Sequence, residues 1–131
     1  MAVGVLLLTH EGFGTSLLRV ARRLLGAAPP LPLDAFEADW DRGVDEQLAA
    51  ASVAMRRVDA GDGVLLLVDL YGATPARLAA RLAQLGTPAR RVSGVGLPML
   101  LRVLNYPEQS LDELARTAAA GARNGVVIDD A

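Results

Sequence analysis

Val3-Gly4-Val5-Leu6-Leu7-Leu8-Thr9-His10-Glu11-Gly12-Phe13-Gly14 opens with an uncharged apolar run that stops at the single histidine of the chain. The six residues from Val3 to Leu8 predict a strand buried on both faces, as a parallel sheet between helices requires. Gly12 and Gly14 permit a tight turn directly behind it. His10 is thereby expected at the carboxyl end of a central strand, the edge where open α/β sheets carry their chemistry.

A second run repeats this grammar. Gly63-Val64-Leu65-Leu66-Leu67-Val68-Asp69 is apolar up to a terminal acid and is followed by Leu70-Tyr71-Gly72-Ala73-Thr74-Pro75. Thr74-Pro75 marks a helix start, with threonine able to cap free N–H groups and proline suited to the first turn. Between the two runs, Leu17, Leu18, Ala21, Leu24 and Leu25 recur at helical spacing up to Gly26, with Arg19, Arg22 and Arg23 on the solvated side. Leu31 to Phe36 predicts a short strand that Pro32 confines to a sheet edge. From about Asp41 to Ala60 the positions Val44, Leu48, Ala51, Met55 and Val58 predict an amphipathic helix closed by Gly61. Beyond Asp69, a helix from Thr74 to about Leu85 leads to a weaker strand over Arg90–Gly96. Pro98 opens a further helix, and the capping box Ser110-Leu111-Asp112-Glu113 opens the last one. Gly125–Ile128 reads as a terminal β fragment. Alternating strands and helices predict an α/β fold, an open, doubly wound, mainly parallel sheet in the order 2-1-3-4. Strands 1 and 3 then lie about 4.8 Å apart, and His10 can meet Asp69.

At 131 residues the chain is expected to be one domain, residues 1–131, burying about two-thirds of its unfolded surface. A hydrophobic share of 52% with a net charge of -2 excludes disorder and gives no pull toward nucleic acid. No window reaches the roughly 18 apolar residues of a membrane span and the N-terminus lacks a basic secretion signal, so a cytoplasmic chain without direct membrane insertion is expected. Zero cysteines and one histidine leave no thiolate chemistry and no multi-histidine metal site within the chain, and no metal or cofactor is expected. All 13 basic residues are arginines. The missing lysine disfavours a Walker phosphate loop, a Schiff-base enzyme and a two-component receiver.

A carboxylate beside an imidazole binds the proton on one ring nitrogen and leaves the other with a free lone pair, which makes His10 a nucleophile or base. Helices are expected to start directly after His10 and after Asp69, turning their free N–H groups and the Thr74 hydroxyl into one crevice that suits a tetrahedral anion. That inventory is what phosphoryl transfer needs. Each residue also has a plainer reading: His10 as packing, Asp69 as a turn former, Thr74-Pro75 as a helix cap, Gly12 and Gly72 as turns. Trp40 and Tyr71 stand too isolated for a stacking platform.

Val-Leu-Leu-Leu-Thr-His-Glu-Gly, Gly-Val-Leu-Leu-Leu-Val-Asp-Leu-Tyr-Gly-Ala-Thr-Pro and Gly-Val-Gly-Leu-Pro-Met-Leu, in that order, resemble the enzyme IIA component of the mannose-type phosphoenolpyruvate-dependent sugar phosphotransferase system. The resemblance implies a phosphotransferase acting through a covalent phosphohistidine. His10 would take a phosphoryl group on Nε2 from the phosphocarrier HPr and pass it to a IIB protein. Asp69 would hold the Nδ1 proton, and Thr74, with Gly12, Gly72 and Ala73 around it, would surround the phosphoryl group. Family members are homodimers that exchange a C-terminal strand, which would give Val126–Ile128 a purpose. Leu70-Tyr71 stand where a common form has threonine and tryptophan, and Ala73 where it has glycine. With no IIB segment before Ala131, the acceptor is expected on another chain. A regulatory phosphorylation-state sensor and the phosphodonor of a dihydroxyacetone kinase share this pattern and are the alternatives.

Overall fold

The two apolar runs form the two inner strands of a four-stranded parallel sheet, as a chain whose longest uncharged segments need cover on both faces must arrange them. The computed structural model describes residues 1–130. Its strands are β1 (Ala2–His10), β2 (Leu33–Ala38), β3 (Gly61–Val68) and β4 (Ala89–Ser93), ordered β2-β1-β3-β4. In register, Val5 pairs with Leu33 and Leu65, and Leu8 with Phe36 and Val68.

Alternation along the strands divides the core in two. Val3, Val5, Leu7, Leu65 and Leu67 face α1 (Gly14–Leu25), α4 (Leu97–Leu104) and α5 (Leu111–Asn124). Leu6, Leu8, Val64, Leu66 and Val68 face α2 (Val44–Val58) and α3 (Thr74–Leu82). One glycine sets a helix-to-sheet distance: a Cβ on Gly4 would lie 2.0 Å from the Val58 carbonyl oxygen, so the end of α2 rests directly on the backbone of β1.

Several boundaries differ from the sequence reading for local reasons. The second helix starts at Val44 rather than near Asp41, because residues 39–43 form a loop bound to the Gln47 side chain. It ends at Val58, and Gly61 opens β3 instead of closing the helix. Helix α3 stops at Leu82, and Leu85 beyond it is exposed, as is Leu24 on α1. Gly125–Ile128 form no strand within this chain, and Val126, Val127 and Ile128 stand in solvent. Ser110 and Glu113 do form the expected capping box on α5. No helix among the described residues is long and apolar enough to cross a membrane.

Candidate functional site

The site grows out of the ends of β1 and β3. Strand β3 stops at Val68, level with Leu8 and two residues short of the His10 level, and the Asp69 side chain then replaces the missing ladder acceptor. Its Oδ2 accepts the His10 backbone N–H at 2.9 Å and lies 2.7 Å from His10 Nδ1. An ionised carboxylate only accepts, so the Nδ1 proton is held in that bond and Nε2 keeps its lone pair. The side chains are 22% (His10) and 12% (Asp69) exposed, which leaves the ring reachable and the carboxylate nearly dry. Asp69 Oδ1 is buried and takes no donor among the described residues.

The turn behind His10 is fixed from within. Thr9 is fully buried, its Oγ1 donating to the His10 carbonyl at 2.9 Å and accepting the Gly14 N–H at 2.8 Å. Gly12, at φ +89°, makes the left-handed bend that lets the chain re-enter α1. Glu37, at the end of β2, accepts the Thr15 N–H at 2.9 Å. That backbone bond holds its carboxyl below the ordinary glutamate value of 4.5, against a smaller opposing effect of burial. The first turn of α1 is thus occupied by the protein's own groups, and its Gly14 and Thr15 N–H groups do not face an anion as the sequence reading expected.

Helix α3 differs. Its N-cap is Ala73, not Thr74, and no side chain caps it. Among the described residues no protein acceptor takes the N–H of Thr74 or Ala76, and Pro75 has none to offer. Gly72, at φ +84°, turns the loop into this helix. The Thr74 hydroxyl, rather than capping, accepts from Arg77 Nη2 at 3.0 Å, while Arg77 Nη1 donates to the Gly72 carbonyl at 3.2 Å. A hydroxyl oxygen already accepting from a guanidinium has its own proton free to donate elsewhere. The candidate anion donors therefore gather on the Gly72–Ala76 side of the crevice.

Two features of the site escape sequence reasoning. Arg77 reads as a solvated helix residue, yet it braces the loop that leads into α3. Trp40 is not isolated: its ring lies over the His10 imidazole with centroids 4.7 Å apart and planes inclined by 31°. Its only sequence signal is position, just after a strand that neighbours β1. Phe13, Leu70 and Tyr71 are likewise exposed on the loops that follow β1 and β3.

Residues 4–119 match the EIIA-man family, described as the PTS system fructose IIA component. The chain belongs to this family. The IIA chain is 27% identical over 128 residues to the PTS system mannose-specific EIIAB component of Escherichia coli strain K12, a match covering 96% of this chain and 39% of that protein. It therefore spans about two-fifths of the curated relatives' length. In three dimensions it resembles the mannose/sorbose-specific IIA subunit of the phosphotransferase system from Enterococcus faecalis, with a TM-score of 0.83 and 23% identity over 100% of this chain and 97% of the other. The PTS IIA protein associated with the fucose utilization operon of Streptococcus pneumoniae follows with a TM-score of 0.78 and 20% identity, over 99% and 97%. At such identities the structural likeness speaks for the fold. The IIA chain is thus a mannose-family component of a sugar phosphotransferase system.

Proposed function

We propose that the IIA chain carries a phosphoryl group on His10 Nε2, accepting it from HPr and delivering it to a IIB acceptor. The observation that carries this reading is the two-fold use of Asp69 Oδ2, which binds both the backbone N–H and Nδ1 of His10 and so turns Nε2 outward with its lone pair free. Nε2 attacks phosphorus as the donor's P–N bond breaks, and the Nδ1 proton stays on the ring against Asp69. The phosphoryl oxygens meet the free N–H groups of Thr74 and Ala76 and the Thr74 hydroxyl, with Gly12, Gly72 and the small Ala73 keeping the approach clear of bulky side chains. Binding of the anion at a helix N-terminus and an aligned nucleophile are the chief requirements of phosphoryl transfer.

The active unit is a homodimer in the cytoplasm, in which Val126–Ile128 of each copy pair with a free sheet edge of the other. Support comes from three adjacent apolar side chains held in solvent and from β4, an edge strand with one side unpaired. Incubation with labelled phosphoenolpyruvate, enzyme I and HPr is expected to place acid-labile phosphate on the wild-type chain and none on His10→Ala. Equal labelling of that variant would refute the assignment.

A further inference from the structure

We propose that Trp40 is a positioning residue that stabilises the phosphorylated form of His10 through its indole face. The inference rests on the phosphorylation of His10 argued above and concerns a residue outside the loops that follow β1 and β3.

The contact is a built feature. Trp40 lies in the loop between β2 and α2, and the loop is organised around the buried amide of Gln47. Gln47 Oε1 accepts the Asp39 N–H at 2.8 Å, and its Nε2 donates to the Arg42 carbonyl at 2.9 Å and to those of Asp39 and Gly43 at 3.4 Å. Asp39 Oδ1 adds a bond to the Asp41 N–H at 2.8 Å. A buried amide left without these partners would be costly, so the loop conformation that carries the indole over His10 is enforced from below.

The chemistry makes the stack state-dependent. Before transfer the imidazole is neutral, with its proton on Nδ1 against Asp69. On transfer, the Nε2 lone pair forms the new P–N bond, the P–N bond of the donor's phosphohistidine breaks, and that electron pair returns to the donor nitrogen. The Nδ1 proton stays where it is, so the ring itself takes a formal positive charge. An indole face attracts a cation within about 6 Å of its centroid, and more strongly than it attracts a neutral ring. The 4.7 Å stack therefore favours the phosphorylated state over the free one. Trp40 is 69% exposed, which places the effect in the range of solvent-exposed contacts. At 1.4 kcal/mol per tenfold, that range corresponds to about a 2- to 5-fold shift of the equilibrium.

The test is the equilibrium partition of label between phospho-HPr and the IIA chain, for wild type, Trp40→Phe and Trp40→Leu, at concentrations where the two proteins stay unbound. An equilibrium between free species is blind to docking contacts, so a purely structural or recognition role for Trp40 leaves it unmoved. Trp40→Leu is expected to lower the equilibrium constant for phosphoryl transfer from phospho-HPr to the IIA chain about 2- to 5-fold, with Trp40→Phe in between. The emission of Trp40, the only tryptophan in the chain, is expected to change on phosphorylation of the wild type. Equal partition ratios for all three proteins would overturn the inference and leave the carrier reading standing. Failure of the wild type to label would overturn both. Should Trp40→Leu unfold, the comparison of Trp40→Phe with wild type decides in the same way.

Discussion

Replacing Asp69 by asparagine separates the charge of this residue from its shape. In the native chain Oδ2 accepts two bonds, at 2.9 Å from the His10 N–H and at 2.7 Å from Nδ1. The amide oxygen of the substituted side chain can still close the ladder onto the His10 N–H, so β1 and β3 remain joined. The uncharged oxygen holds the Nδ1 proton less firmly and leaves the tautomer unfixed, so Nε2 carries the proton part of the time and loses its lone pair. A hydrogen bond to a charged group is worth about 1.5–3 kcal/mol, and each 1.4 kcal/mol is tenfold, which predicts phosphoryl uptake slower by about 10- to 150-fold. Rapid-quench measurement of label transfer from phospho-HPr reads the rate, and calorimetry checks that the variant melts within a few degrees of wild type. A variant that melts normally and takes up label at the wild-type rate would show that the carboxylate does not tune the imidazole.

Gly4→Ala is expected to destabilise the fold by about 1–3 kcal/mol or more, since the added carbon would stand 2.0 Å from the Val58 carbonyl oxygen; an unchanged melting temperature would contradict the packing of α2 on β1. Glu37→Gln tests the occupied end of α1. Because the Thr15 N–H holds the folded pKa of Glu37 below 4.5, the wild type gains stability above that pH and loses the gain as pH falls through the lowered value. The melting-temperature gap between the two proteins should therefore be present at neutral pH and close in acid; a gap independent of pH would refute the bond. Truncation after Gly125 is expected to convert the proposed dimer to a monomer in analytical ultracentrifugation, and a truncated chain that sediments as a dimer would rule out strand exchange.

Much of this architecture could be read from the residues because it depends on burial. Two uncharged runs had to be central, and Pro32 and the arginine-bearing Arg90-Arg91 pair had to lie outside them, which leaves 2-1-3-4 as the natural order. The meeting of His10 with Asp69 followed from that order alone. What escaped was polar and local. Gln47 looks like any helix residue, yet its amide shortens α2 and shapes the preceding loop. Glu37 reaches across from β2 to close the first turn of α1, a bond between residues 22 positions apart in sequence that no periodicity encodes. Thr74 reads as the cap of the third helix, but Ala73 is the N-cap of α3, Thr74 is its first residue, and the hydroxyl is left to Arg77. Trp40 reached the imidazole because β2 lies beside β1 and ends at the same level, a consequence of topology visible only once the sheet is assembled.

Nitrogen-15 and phosphorus-31 NMR of the phosphorylated chain tests the central claim most directly, because a single histidine gives a single imidazole to assign. A phosphorus coupled to Nε2, with the Nδ1 proton retained and lost on Asp69→Asn, is the predicted result. Phosphorus on Nδ1, or on any residue other than His10, would contradict the account.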